Sequence, residues 1–126
     1  MKILITGATG YIGKRLIPIL LNEGHHLICT VRDIARIEHL YAKDENIEFV
    51  EIDFLKANSL SLIPSEIDIA FYLIHSMSNS AKEFHILEER CAFNFKRAIE
   101  KTSVKQVIYL SGITNDTKLS KHLLSR

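Results

Sequence analysis

Short apolar runs along the chain alternate with segments in which apolar residues recur every three or four positions. The runs contain five to seven residues each and predict five buried β-strands. They cover residues 2–6, 26–31, 47–52, 68–74 and 106–110. The run at 68–74 is apolar after its first residue, which favours a central strand covered on both faces by helices.

Helical spacing predicts three helices between these strands. The first covers residues 11–23, where Pro18 is expected to bend the axis. The second covers residues 34–41, with Asp33 as its cap. The third covers residues 80–101 and carries one apolar stripe, formed by Phe84, Leu87, Cys91, Phe95, Ala98 and Ile99.

The alternation of strands and helices predicts an α/β fold, because connections this short join parallel strands only by crossovers. We expect one domain over residues 1–126, with a doubly wound, Rossmann-like sheet of about five strands between two helical layers. A strand order of 3-2-1-4-5 places residues 106–110 at an exposed, apolar edge. Self-association through this edge is therefore expected.

Composition and charge narrow the class of protein further. The chain has 126 residues, 47% hydrophobic and 25% charged, and its net charge of +1 favours neither nucleic acid nor a membrane surface. No apolar run approaches the roughly 20 residues that span a bilayer. Cys29 and Cys91 are far apart and predict a reducing cytoplasm. No metal site is expected, since metal-ligand spacing is absent from His25, His26, His39 and His85.

The glycines in "TGATGYIG", residues 6–13, lie between the first predicted strand and the first helix. Gly7, Gly10 and Gly13 suit a sharp turn, close approach of backbone amides to a pyrophosphate, and tight packing of the helix on the sheet. The helix N-terminus adds N–H donors and partial positive charge for the phosphates. This pattern predicts a dinucleotide site.

Two other interpretations of the glycines are weaker. They could form only a tight strand-to-helix turn, without a ligand. A P-loop does not fit, because Ala8 replaces its first glycine and Arg15 replaces the hydroxyl residue that holds magnesium.

Arg32 lies 19 residues after Gly13, where NAD-binding proteins carry an acidic residue for the ribose hydroxyls. A guanidinium there suits the 2′-phosphate of NADP, so NADP is favoured over NAD. Asp33 leaves an alternative open, because its carboxylate could bind the ribose or cap the following helix.

The motifs resemble the extended and atypical short-chain dehydrogenase/reductases over nearly the whole chain. "TGATGYIG" is similar to their cofactor fingerprint, and "FYLIHSM" (71–77) to a strand of the NmrA-like, epimerase-like branch. "VRD" (31–33) and "VIYLSGI" (107–113) resemble their second and fifth strands. The resemblance implies cofactor contacts from Thr6, Gly7, Ala8, Thr9, Gly10, Tyr11, Ile12, Gly13, Arg32, Asp53, Phe54, Ile74, His75 and Asn94. For His75, a structural role in the turn after the fourth strand is the alternative.

The resemblance implies a catalytic serine at Ser111, which would orient the substrate. The family's Tyr-x-x-x-Lys pair is missing after it. His122 and Arg126 share a helix face and look like a substitute for that pair. A partly exposed histidine without a catalytic role is the other interpretation of His122.

Family members continue well beyond the fifth strand, into a substrate-binding region. We therefore expect this chain to be an N-terminal fragment or a naturally short version. The favoured function is an NADP-using oxidoreductase or nucleoside-diphosphate-sugar epimerase-like enzyme. A non-catalytic NAD(P)-binding redox sensor or regulatory module is the main alternative, and an inactive truncated remnant is a third.

Overall fold

The computed structural model describes residues 1–74 and 81–110, which contain five strands and two α-helices. The strands are β1 (Lys2–Thr6), β2 (His26–Val31), β3 (Ile47–Glu51), β4 (Ile69–Tyr72) and β5 (Gln106–Tyr109). The helices are α1 (Tyr11–Asn22) and α2 (Ala81–Ile99). All strand pairs are parallel, and the order β3-β2-β1-β4-β5 confirms the predicted Rossmann-like sheet.

The middle of the sheet is β1, which pairs with β2 on one side and with β4 on the other. Thr6, its last residue, lies opposite Thr30 and Tyr72. After β1 the chain builds the sheet outward through β2 and β3, then crosses to the other side for β4. This reversal leaves a crevice beyond the carboxyl ends of β1 and β4, where open α/β sheets bind ligands.

Alternate residues of β1 point to two separate cores. Ile3 and Ile5 pack with Ile17 of α1 on one face of the sheet. Leu4 packs on the other face, with the buried stripe of α2. Four members of the predicted stripe are buried in this second core, namely Cys91, Phe95, Ala98 and Ile99.

Helix α1 runs continuously through Pro18, so the proline does not end it. Its C-terminus is closed by a Schellman motif, in which Gly24 has φ +86°. Gly24 N–H donates to the Leu21 carbonyl at 3.0 Å, and His25 N–H donates to the Leu20 carbonyl at 3.2 Å. Gly24 therefore ends the helix directly after residue 23, the last residue of the predicted range.

The helix predicted after Asp33 is wrong. Residues 34–41 form two short 3₁₀ turns, Ile34–Arg36 and Glu38–Tyr41, separated at Ile37. Ile37 is buried, but Leu40 is 61% exposed, so the apolar pattern does not form one continuous packed face. One buried anchor does not stabilise a longer helix, and the turns close through i→i+3 hydrogen bonds.

No helix in the described part of the chain combines the length and the apolar character that a bilayer span requires.

The two edges of the sheet differ in charge, which bears on self-association. Glu48 and Glu51 are exposed on the outer strand β3, and charges of this kind discourage pairing with another sheet. Strand β5 has no charged residue and exposes 44% of Val107. Self-association through β5 stays a prediction.

We expect Val107→Lys to lower the oligomeric fraction, because a charge on an edge strand opposes edge-to-edge pairing. Light scattering over a concentration series measures the effect. Phe93→Lys is the matched control, since it removes an exposed apolar side chain from helix α2 rather than from the sheet edge. A wild-type chain that stays monomeric at high concentration contradicts the prediction.

Candidate functional site

The turn after β1 depends on glycine at position 7. Gly7 has φ +74°, in the left-handed region that favours glycine. A Cβ atom at this position would lie 2.7 Å from the Leu73 carbonyl oxygen, at the end of β4. The absence of a side chain therefore lets the chain turn sharply while it touches the neighbouring strand.

Gly13 lets helix α1 start directly against this turn. A Cβ atom on Gly13 would lie 2.5 Å from the Gly7 carbonyl oxygen and 2.8 Å from the Ala8 Cα. Both contacts are with backbone atoms, which cannot move aside without shifting the helix. Glycine at this position brings the N-terminus of α1 to the crevice.

Gly10 differs from the other two glycines because the fold does not require it. Its φ of −76° suits any residue, and the nearest atom to an added Cβ, the Gly7 carbonyl oxygen, is 3.4 Å away. Gly10 lines the cavity described below. An interpretation of the glycines as a tight turn alone explains Gly7 and Gly13 but not Gly10, whereas a phosphate group close to the backbone explains all three.

The N-terminus of α1 is free to bind an anion. No side chain caps it, and no acidic residue lies in its first turn. The N–H groups of Tyr11, Ile12 and Gly13 make no hydrogen bond to another described residue. These donors and the positive end of the helix dipole suit the pyrophosphate of a dinucleotide.

A cavity of about 490 Å³ lies at the carboxyl edge of the sheet, next to this helix N-terminus. Seven of the residues predicted to bind the cofactor line it: Gly7, Thr9, Gly10, Arg32, Asp53, Phe54 and Ile74. Seven further residues line the cavity without having been expected from the sequence: Thr30, Val31, Ile52, Leu55, Leu73, Leu87 and Cys91. Most of them end strands or follow them, which is the signal that could have found them.

Apart from Asn94, which is described below, five of the other predicted residues do not line the cavity. Thr6 and Ala8 are fully buried, and Gly13 is also buried. The Thr6 hydroxyl joins β1 to β4, since it donates to the Phe71 carbonyl at 2.9 Å. Tyr11 and Ile12 are exposed on the first turn of α1. Contact of these five residues with the cofactor stays a prediction.

Four predicted site residues lie outside the described part of the chain: His75, Ser111, His122 and Arg126.

Arg32 directly follows β2 and is exposed at the cavity. Its guanidinium makes no hydrogen bond or ion pair with another described residue. The Asp33 carboxylate accepts a hydrogen bond from Ala35 N–H at 3.2 Å, which confirms its predicted role as a cap. The segment that it caps is a 3₁₀ turn rather than an α-helix.

The loop after β3 forms another wall of the cavity and is held from two directions. Asp53 Oδ1 accepts from Leu55 N–H at 3.0 Å, which closes a local turn. Asn94 of α2 donates from Nδ2 to the Phe54 carbonyl at 2.6 Å in a buried position. Asn94 thus contacts the loop directly, but it does not line the cavity. Its contact with a cofactor stays a prediction.

The strongly perturbed ionisable groups lie in the core beside the cavity. Burial raises the pKa of the Cys29 thiol to about 12, which keeps it protonated at neutral pH. Burial, then nearby Cys91, Glu88 and Tyr109, raises the pKa of the Tyr72 hydroxyl above its ordinary range. Neither group provides an acid or a base near neutral pH. Within residues 1–74 and 81–110, no cluster of three His, Cys, Asp or Glu side chains could hold a metal ion.

The protein-family comparison agrees with this geometry. A family model described as NAD(P)H-binding matches residues 7–125, which is almost the whole chain. This chain belongs to the NAD(P)H-binding family. The match begins at Gly7, the first residue of the glycine turn, and includes every residue that lines the cavity.

A relative of this NAD(P)H-binding chain is the auxiliary protein GraX of Staphylococcus aureus, which is 30% identical over 127 residues. The alignment covers 97% of this chain and 40% of GraX, so the chain spans about two fifths of that relative.

Solved structures show the same fold. A putative NAD-dependent epimerase/dehydratase from Bacillus halodurans has a TM-score of 0.74 and 23% identity, over 90% of this chain and 52% of that protein. The yeast methylglyoxal/isovaleraldehyde reductase Gre2, solved with NADPH, has a TM-score of 0.70 and 16% identity. That alignment covers 88% of this chain and 37% of the reductase. Oxidoreductase and epimerase-like proteins are thus the structural neighbours of the NAD(P)H-binding fold seen here.

We expect Gly10→Ala to weaken NADPH binding about five- to a hundredfold, because a methyl group would occupy space next to the pyrophosphate. Its cost in unfolding free energy should stay below about 1 kcal/mol, since the position has ordinary backbone angles. Gly13→Ala is the contrasting variant and should lose at least about 2 kcal/mol of stability. Urea denaturation and fluorescence titration measure the two effects. Equal binding by wild type and Gly10→Ala would remove the ligand argument for Gly10.

We expect Asn94→Ala to lower the unfolding free energy by about 1–3 kcal/mol, because the buried Phe54 carbonyl loses its donor. The loop after β3 should loosen, which should weaken binding of 2′,5′-ADP. Asn58→Ala is the matched control, since Asn58 is exposed in the segment that follows the same loop. Equal affinity for 2′,5′-ADP in both variants contradicts a role for Asn94 in holding the cavity wall.

Proposed function

We propose that this NAD(P)H-binding chain prefers NADP(H) and forms the nucleotide-binding part of an oxidoreductase or an epimerase-like enzyme. The observation that carries the cofactor preference is Arg32, a cation that lines the cavity without a described protein partner. A guanidinium offers several donors and a permanent charge to a phosphate dianion. The 2′-phosphate is the group that distinguishes NADP from NAD.

The remaining walls fit the rest of the nucleotide. The glycine turn and the N-terminus of α1 suit the pyrophosphate, as described above. The loop at Asp53 and Phe54 offers a polar and an apolar group at the adenine end. The part of the cavity lined by Leu73 and Ile74, which follow β4, would then receive the nicotinamide ring.

When bound, the nicotinamide supplies hydride transfer, and the protein supplies position and electrostatics. In the proposed enzyme Ser111 orients the substrate oxygen. His122 moves a proton, and Arg126, four residues later, holds a ribose or phosphate group. These three assignments rest on the resemblance to short-chain dehydrogenase/reductases.

The second candidate is a non-catalytic module that binds NAD(P) and regulates another protein. Its support is the name of the 30% identical relative, an auxiliary protein. Both candidates require the same nucleotide site. They differ in whether bound NADPH is consumed.

We expect Arg32→Asp to weaken NADPH binding about ten- to a hundredfold and to leave NADH binding similar or stronger. The new carboxylate would repel the 2′-phosphate and could accept hydrogen bonds from the ribose of NADH. Fluorescence titration with both nucleotides gives the ratio of dissociation constants. Arg97→Asp is the matched control, because Arg97 is equally an exposed arginine but lies on α2 away from the cavity lining.

The same titrations decide between the larger alternatives. A wild-type chain that binds neither nucleotide contradicts both candidate functions. An unchanged preference in Arg32→Asp contradicts the proposed role of Arg32. If NADPH binds, loss of its absorbance with a panel of carbonyl substrates supports the enzyme, whereas stable absorbance supports the regulatory module.

A further inference from the structure

Two acidic residues lie near Arg32, one next to it in the chain and one on the neighbouring strand, and neither forms an ion pair with it. Asp33 follows Arg32 in the chain, and the side chains of Arg32 and Asp33 are both exposed. Glu51 ends strand β3, where it lies opposite Val31, the residue that precedes Arg32. An exposed arginine with five N–H donors would ordinarily attract such neighbours.

Both carboxylates bind the 3₁₀ turn Ile34–Arg36 instead. Glu51 Oε1 accepts a hydrogen bond from Ile34 N–H at 3.1 Å. Asp33 Oδ1 accepts from Ala35 N–H at 3.2 Å, and its other oxygen is 4.0 Å from Arg36 Nε. At the start of the turn, Ile34 N–H thus binds one oxygen of Glu51, and Ala35 N–H binds one oxygen of Asp33.

Each carboxylate could form either an ion pair with Arg32 or a hydrogen bond with a backbone N–H of the turn, and these two interactions are of similar strength. A surface ion pair contributes little, because water and salt screen the two charges and both side chains lose conformational freedom. A hydrogen bond between a backbone N–H and a carboxylate is worth about as much or more, because the acceptor is charged. Hydrogen bonds from the N–H groups of the turn can therefore hold Asp33 and Glu51 away from the arginine.

We infer that the turn Ile34–Arg36 sets the nucleotide preference by keeping Asp33 and Glu51 engaged, so that Arg32 stays available to the 2′-phosphate of NADP. Glu51 is a positioning residue in this arrangement. The inference rests on the proposed function, in which Arg32 binds that phosphate. A released carboxylate would weaken NADP binding in two ways, because it would pair with Arg32 and would repel the phosphate dianion.

NADH provides the internal reference for this effect. It lacks the 2′-phosphate, so pairing of Arg32 with a carboxylate should change its affinity little. A variant that only disturbed the local structure would weaken both nucleotides together. The ratio of the two dissociation constants therefore separates a change in preference from a loss of structure.

Ile34→Pro tests the inference by removing one N–H group and keeping both carboxylates. Proline suits the first position of a helical turn, and the extended backbone of Asp33, with φ −142° and ψ 103°, suits the residue before a proline. Glu51 then loses its partner. We expect the ratio of NADPH to NADH affinity to fall about two- to fivefold, which corresponds to one exposed ion pair.

Further variants test the assignment to Glu51. Ile34→Val keeps the N–H and controls for the lost side-chain packing. The double variant Ile34→Pro with Glu51→Gln should restore the preference, because the released side chain is then uncharged. Glu51→Asp is a second route to the same state, since the shorter carboxylate keeps its charge but falls short of Ile34 N–H.

The outcomes separate this inference from the proposed function. A wild-type chain without a preference for NADPH contradicts the proposed role of Arg32, whatever the variants do. If wild type prefers NADPH, an unchanged ratio in folded Ile34→Pro and Glu51→Asp overturns the inference and leaves the role of Arg32 intact. A lower ratio in both, with recovery in the double variant, supports it.

Discussion

The close contact between the glycine turn and the end of β4 is the constraint on which the site depends. Gly7 approaches the Leu73 carbonyl so closely that a Cβ atom would lie 2.7 Å away, and Gly13 approaches the Gly7 carbonyl in the same way. These two contacts join β1, β4 and the start of α1 without a side chain between them. The free N–H groups of the helix are thereby placed at the point where the sheet order reverses, and the cavity forms beside them.

Most of the fold could be predicted because strand and helix periodicities are local properties of the sequence. Strand β2 has the predicted bounds, and the sheet order follows from short crossover connections. Residues 34–41 could not be predicted correctly, since an apolar repeat does not show how much surface is available to cover it. Only Ile37 finds a buried position there. A helix needs a continuous packed face, and the turns formed instead need none.

The site shows the same division between local and distant information. Glycines and Arg32 lie at fixed spacings from β1 and β2, so the sequence identifies them. Leu87 and Cys91 lie one turn apart on α2 in a stripe that predicts core packing, yet they also line the cavity. The resemblance implies a cofactor contact for Asn94, whereas its buried hydrogen bond to the Phe54 carbonyl joins residues 40 positions apart in sequence. No spacing rule shows such a contact.

Backbone donors also control the charge around the cavity. Asp33 and Asp53 each follow a strand of the sheet, and each accepts a hydrogen bond from the N–H two residues later. Glu51 accepts one from Ile34. Backbone N–H groups of turns thus bind three acidic side chains near the carboxyl edge. Among the described residues, the shortest distance from one of these carboxylates to a cation is the 4.0 Å between Asp33 and Arg36. The electrostatic character of the site then depends on the Arg32 guanidinium and the helix N-terminus, which have no partner among the described residues. Both favour a polyanionic nucleotide.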